Sequence, residues 1–244
     1  MTGEKSGEGR TTLQPFFDGL KQHLKKSVRE ALTANRTPRQ LRAAADTTMD
    51  AYGSAVAGLE KLSPPEKPLA CKKGCDHCCH IAVMVDGATV MRIADYVQEA
   101  FSPAERTLLE MRLVVYEEKV EKMTQDERSR AVIPCPLLAD GACTVHPVRP
   151  LICRSFNSYD ADICRKKIRG AGSVTEIPAW NIPWLVGLAL DDALKGSLVE
   201  AGYTEGTLEL GLAVKAALDR PNAAERWLAG DRVFARAAWS ARAP

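Results

Sequence analysis

The chain has 244 residues, 45% hydrophobic and 26% charged, with 33 Lys and Arg against 31 Asp and Glu for a formal charge of +2. That length can bury a substantial core, and the balance excludes both wholesale disorder and a disulfide-stapled mini-protein. So small a net charge gives no reason to expect nucleic acid as a partner. The unusual number is eight cysteines, seven of them between Cys71 and Cys153 and the eighth at Cys164.

The opening MTGEKSGEGRTTLQPFF has no apolar stretch of the secretory type, and the longest strongly apolar run, residues 182–190, falls far short of the ~20 residues of a membrane span. A cytoplasmic protein with no membrane partner is expected. In a reducing compartment, clustered cysteines serve as metal ligands or redox groups more often than as structural disulfides.

Residues 1–11 are polar and read as a flexible tail. Leu13, Phe16, Phe17, Leu20, Leu24, Val28 and Leu32 then recur at helical spacing. Thr37-Pro38 starts a second helix, a hydroxyl cap followed by proline at the first helical position. Its face carries Leu41, Ala44, Ala45, Met49, Tyr52, Val56 and Leu59 and ends at the prolines of SPPEKP, residues 63–68. The two are expected to form an antiparallel hairpin over residues 12–62.

Residues 81–85 are β-compatible, and Asp86-Gly87 turns into a helix carrying Val90, Met91, Ile93, Ala94 and Val97. Ser102-Pro103-Ala104-Glu105 is a capping box and predicts a helix burying Leu108, Leu109, Val115 and Met123. Residues 160–169 predict a short helix carrying Cys164. Residues 183–240 predict three more, the last, AAERWLAG, stopping at Gly230. No alternation of strand and helix suggests a parallel sheet. The expected fold is mainly α: residues 12–244 as a single domain, a helical shell around a loop-rich cysteine core at 68–165.

The cysteines fall in two groups, Cys71-x3-Cys75-x2-Cys78-Cys79 and Cys135-x7-Cys143-x9-Cys153-x10-Cys164. A C-x2-C step sets two sulfurs on one side of a tight turn, within reach of one ion at ~2.3 Å, and Gly74 frees the backbone before Cys75. Adjacent side chains point apart, so Cys78 and Cys79 either serve two different metals or only one of them is a ligand. Eight thiols allow two zinc sites of four, a four-iron cluster with four thiols left for a second site, or one polynuclear site with bridging sulfurs. Pro136 after Cys135 resembles the Cys-Pro pair of bacterial ferredoxin runs.

Lys72, Lys73, Arg149, Arg154, Arg165, Lys166 and Lys167 lie near these cysteines in sequence, and cations there favour thiolate and metal binding. Arg149 and Arg154, flanking a turn at Pro150-Leu151-Ile152-Cys153, are the better structural candidates. His77, His80 and His146 are further donors that eight thiols make unnecessary. Trp180 and Trp184 read as core fillers. Ser155 and Ser158 lie near Cys153 with no base placed beside them by motif, and no GxSxG, P-loop or HExxH is present.

Residues 71–79 resemble the CxxCxxCC signature of the zinc- or iron-chelating, YkgJ-like cysteine-cluster family. CPLLADGACTVHPVRPLICRSF, residues 135–156, resembles that family's second signature: a Cys-Pro opening a short Asp-Gly hairpin, then a cysteine, an Arg-Pro and a final Cys-Arg. The first interval here is x3 rather than x2. The resemblance implies a metal site of Cys71, Cys75, Cys78, Cys79, Cys135, Cys143, Cys153 and Cys164, holding zinc or iron, an iron–sulfur cluster included. Flagellin lysine-N-methylases are similar over the cysteine part alone and imply the alternative, a metal-dependent protein-modifying or redox enzyme. Against it, no glycine-rich strand–turn–helix is present to cradle S-adenosylmethionine. The Cys71–Cys75–Cys78 spacing fits a radical-type triad by count but lacks the repeated β/α units around it.

Overall fold

The computed structural model describes residues 8–33, 36–170, 176–203 and 206–242. Of the expected tail, residues 1–7 lie outside the described residues, and α1 (Glu8–Thr33) has begun by Glu8. Phe17, Leu24, Val28 and Leu32 form its buried stripe. α2 (Pro38–Leu62) starts as expected: Thr37 accepts from the Gln40 N–H and the Gln40 side chain accepts from the Thr37 N–H. It stops at Ser63, where the prolines begin.

β1 (Met84–Val85) is all that forms of the β-compatible run 81–85. α3 (Gly87–Ala100) follows, capped by Asp86, whose Oδ1 accepts from Thr89 N–H at 2.8 Å and Oδ2 from the Thr89 hydroxyl at 2.7 Å. Asp86 is buried. Asp86→Ala is therefore expected to cost about 1–2 kcal/mol, measured as a lower urea midpoint at unchanged slope; an unchanged midpoint would show the cap to be idle.

α4 (Pro103–Val120) opens with the expected Ser102/Glu105 box. Its buried face is Leu109, Leu113, Tyr116 and Val120, while Leu108 and Val115 are 55% and 49% exposed, against expectation. One stripe of α4 packs on the chain, and Leu108 and Val115 sit about 100° round the helix from it. α5 (Gln125–Arg130), capped by Thr124 and Glu127, was not foreseen. β2 (Leu138–Ala139) and β3 (Ala142–Cys143) make a hairpin, and α6 (Leu151–Ser155) and α7 (Ala161–Ile168) follow.

The last part holds α8 (Asn181–Glu200), β4 (Leu208–Glu209), α9 (Leu210–Leu218) and α10 (Ala223–Leu228), the three helices expected there. β4 pairs antiparallel with β1, Met84 opposite Glu209 and Val85 opposite Leu208. α8 is the centre of the packing: α1, α2 and α6 all lie on it, and α1 also packs on α2. One hydrophobic cluster runs from Phe17 to Ala238. Among the described residues the fold is mainly α, with two small two-stranded ladders, and no helix is long and apolar enough to cross a membrane.

A buried polar knot joins α4, α5 and the β4–α9 junction. Glu209 Oε1 accepts from the Tyr116 hydroxyl at 2.5 Å and from Arg128 Nε at 3.2 Å, while Arg128 Nη2 donates to the Tyr116 oxygen at 2.6 Å. Glu209 Oε2 caps α9 by accepting from Leu212 N–H at 3.0 Å.

Candidate metal centre

The chain leaves α2 through its prolines and turns tightly at Gly74, φ +92°, where Cys75 N–H reaches Lys72 carbonyl at 2.9 Å. This is the left-handed geometry expected of that glycine. A single 3-10 turn, His77–His80, then carries Cys78 and Cys79. Backbone bonds dock this segment on the second cysteine group at both ends. Cys135 N–H donates to Cys79 carbonyl at 2.7 Å and Ile133 N–H to His80 carbonyl at 3.0 Å. Ala70 N–H donates to Ser158 carbonyl at 2.8 Å.

In the second group, Asp140 and Gly141 both have positive φ, 50° and 69°, the geometry of a two-residue hairpin turn. The turn sets Cys143 opposite Leu138, whose N–H donates to Cys135 carbonyl at 3.0 Å. Residues 150–153, expected as a turn, instead enter α6, with Cys153 and Arg154 inside it. Pro150 suits an entry residue, since it needs no N–H there. α7 forms as expected, with Asp160 Oδ1 accepting from Asp162 N–H at 2.8 Å and Ile163 N–H at 3.0 Å. It carries Cys164 and packs on the 3-10 turn.

All eight cysteines are unpaired, Cys71 exposed and the others partly buried. Cys71 lies near Cys75, Cys78 and Cys164, and Cys164 near Cys75 and Cys78. Cys79 lies near Cys78, Cys135 and Cys153, and Cys153 near Cys135, Cys78 and Cys143. Burial pushes the thiols of Cys71, Cys143, Cys153 and Cys164 up, and neighbouring sulfurs add to it. Burial takes Cys135 up to about 12 against an opposing bond from Leu137 N–H. Cys78 goes the other way, to about 7, because the Cys79 thiol donates to its sulfur, a bond that pushes Cys79 up.

Arg149 faces Cys78, Cys143 and Cys153. Arg154 Nε donates to Arg149 carbonyl at 3.0 Å, a second guanidinium donor of Arg154 reaches Pro147 carbonyl, and Tyr52 hydroxyl donates to Arg154 carbonyl at 3.1 Å. Lys72, Lys73, Lys166 and Lys167 are exposed, and Arg165 pairs with Asp162 at 3.1 Å. His80 Nδ1 is 3.0 Å from Asp76 carbonyl, and His146 is exposed. Trp180 is buried with its indole N–H on Ser63 carbonyl at 3.1 Å, and Trp184 packs against Phe156 with the rings tilted.

Among the described residues, no group of three or more His, Cys, Asp or Glu side chains is gathered closely enough to hold an ion as it stands. The chemistry of the donor set nevertheless fits a thiophilic metal. Every sulfur is free, several accept backbone N–H bonds that favour thiolate, and Arg149 Nε is buried beside them without a hydrogen-bond partner. Ser158, noted in the sequence only for its nearness to Cys153, joins the two cysteine segments instead. Its carbonyl accepts from Ala70 N–H at 2.8 Å, and its hydroxyl donates to Asp160 carbonyl at 2.9 Å while accepting from Asp160 N–H at 3.0 Å. The Arg128–Glu209–Tyr116 knot escaped the sequence altogether, although it stands beside Cys135.

The unpaired thiols thus lie on two chain segments docked to one another by backbone bonds. Residues 70–170 match the family model described as CxxCxxCC, putative zinc- or iron-chelating domain, so that segment is similar to this family. No curated protein and no solved structure matches the chain.

Proposed function

We propose that the protein holds zinc or iron, iron in an iron–sulfur cluster included, through Cys71, Cys75, Cys78, Cys79, Cys135, Cys143, Cys153 and Cys164. The observation that carries this is the docking of the first cysteine segment onto the second by backbone bonds from Cys135 to Cys79 and from Ala70 to Ser158. An all-thiol donor set suits zinc and iron–sulfur chemistry and not magnesium or calcium. Four thiolates around a divalent ion leave a net negative centre, and Arg149 and Arg154 supply the opposing charge. The cysteine segments have little regular structure of their own, only short turns and two-residue strands. Ligation would therefore contribute folding free energy directly.

Anaerobic purification with elemental analysis separates the two metals. Iron with acid-labile sulfide and broad visible absorbance marks a cluster; a colourless protein with zinc marks a four-thiolate site. Cys75→Ser and Cys78→Ser are each expected to lower metal content and melting temperature together. Unchanged metal stoichiometry in both variants would overturn the proposal.

A further inference from the structure

We infer that the open face of α4 pairs with the same face of a second copy of this chain, the two helices lying parallel about a two-fold axis. The inference is independent of what the cysteines hold.

Helix α4 carries two apolar stripes. The first, Leu109, Leu113, Tyr116 and Val120, is buried in the chain, where α4 packs on α9. The second, Ala104, Leu108, Met111 and Val115, is exposed; Met111 is 61% open and Val114 beside it 41%. It steps along the helix by 4, 3 and 4 residues. That is the spacing of a helix–helix seam, in which each apolar side chain inserts between those of a facing helix. Scattered single apolar residues on a surface are ordinary, but a contiguous apolar face of this kind marks an interaction site.

The charges beside the seam select the occupant and its direction. At about 100° per residue, Arg112 and Lys119 flank the seam on one side, and Glu110 and Glu117 on the other. Glu105, on the basic side, is tied to Ser102 in the helix cap. Glu117 is engaged by Lys215 at 3.4 Å, whereas among the described residues Glu110, Arg112 and Lys119 have no ion-pair partner. A face basic on one edge and acidic on the other is complementary to itself when two copies lie parallel: the basic edge of each then runs beside the acidic edge of the other. An antiparallel pair centred on Met111 would instead set Glu110 beside Glu110 and Arg112 beside Arg112. A two-fold pair of this kind is closed and leaves no face free to extend into a filament.

The size of the face sets the strength. Eighteen helical residues span about 27 Å, and one helix face of that length covers less than the ~800 Å² per partner of a standard interface. A micromolar dimer is expected rather than a permanent one.

The test is sedimentation velocity of the full-length protein, from low micromolar to submillimolar concentration, under reducing conditions that keep disulfides from joining copies. A monomer–dimer equilibrium is expected. Met111→Glu and Leu108→Glu each set like charges against each other across the axis and should weaken it more than ~10-fold. Both positions are exposed in the single chain, so the helical circular dichroism should be unchanged. Glu110→Gln should weaken the dimer by about 2–5-fold. A photo-crosslinking group introduced as Leu108→p-benzoylphenylalanine should join two chains and attach within residues 104–111 of the second copy.

A monomer at every concentration would overturn the inference, as would a dimer that both glutamate variants leave intact. Tightening by Glu110→Gln, or a crosslink to residues 115–118, would mark an antiparallel pair and overturn the parallel one. A crosslink within one chain, or to a different protein in a cell extract, would give the face another occupant. Should the glutamate variants lose their helical spectrum, the concentration dependence of the unmodified protein and the site of the crosslink decide.

Discussion

Arg128→Met is expected to destabilise the protein by about 3–5 kcal/mol, because it leaves Glu209 buried without its counter-charge. Arg128 is 1% exposed and Glu209 0%. Their pairing is held at 3.2 Å with Tyr116 as third partner, whose phenol burial and the Glu209 charge keep protonated and donating. Tyr116 alone cannot replace a guanidinium. Glu209→Gln added to Arg128→Met should recover most of the loss, since the knot is then neutral and an amide oxygen can still cap α9 at Leu212. Urea unfolding of the two variants checks this. A double variant no more stable than Arg128→Met would mean that packing around Arg128, not charge, sets the cost. Because Glu209 and Arg128 both stand near Cys135, the single variant also leaves an uncompensated negative charge beside that thiol.

Gly187→Leu should cost about 3 kcal/mol through overpacking. Gly187 is where α8 receives α6: a Cβ placed there would fall inside the Ser155 hydroxyl, 2.9 Å from Ser155 Cβ and 3.7 Å from Leu151 carbonyl. Ser155 is buried and its hydroxyl is held on Leu151 carbonyl at 2.7 Å. A larger residue must push α6 away from α8, and α6 carries Cys153 and Arg154. Gly187→Ala should cost much less, because the hydroxyl can turn aside and alanine regains about 1 kcal/mol of helix propensity. Ser155→Gly in the Gly187→Ala background should then be better tolerated than Ser155→Gly alone, a coupling expected of residues in contact. Additive effects would separate the two positions. The measurements are melting temperature and metal retained after chelation, and normal retention in Gly187→Leu would show that α6 keeps its place.

Much of this architecture is legible locally. Thr37-Pro38, Asp86-Gly87, Ser102-Pro103 with Glu105, Asp160 and Gly230 all mark helix ends as expected, because a cap is made by groups a few residues apart. Helix α5 carries the same signal in Thr124 and Glu127 but spans only six residues, too few for an apolar helical periodicity to show. Leu108 and Val115 were misplaced because an apolar residue announces itself in the sequence whether or not a neighbour arrives to cover it. The run 81–85 kept only two strand residues because its partner, Leu208–Glu209, supplies only two.

The sequence alone determined the longer helices, their caps and the identity of eight candidate donors, because each depends on interactions within a turn or two of chain. Tertiary structure decided which sulfurs keep company. It brought Cys79 to Cys135 and Ser158 to Ala70, turned Arg149 and Arg154 toward Cys143, and buried Arg128 against Glu209, 81 positions away. Such contacts arise from how α8 gathers α1, α2 and α6 around it, and no local spacing encodes the distance between segments that meet only after the core has closed.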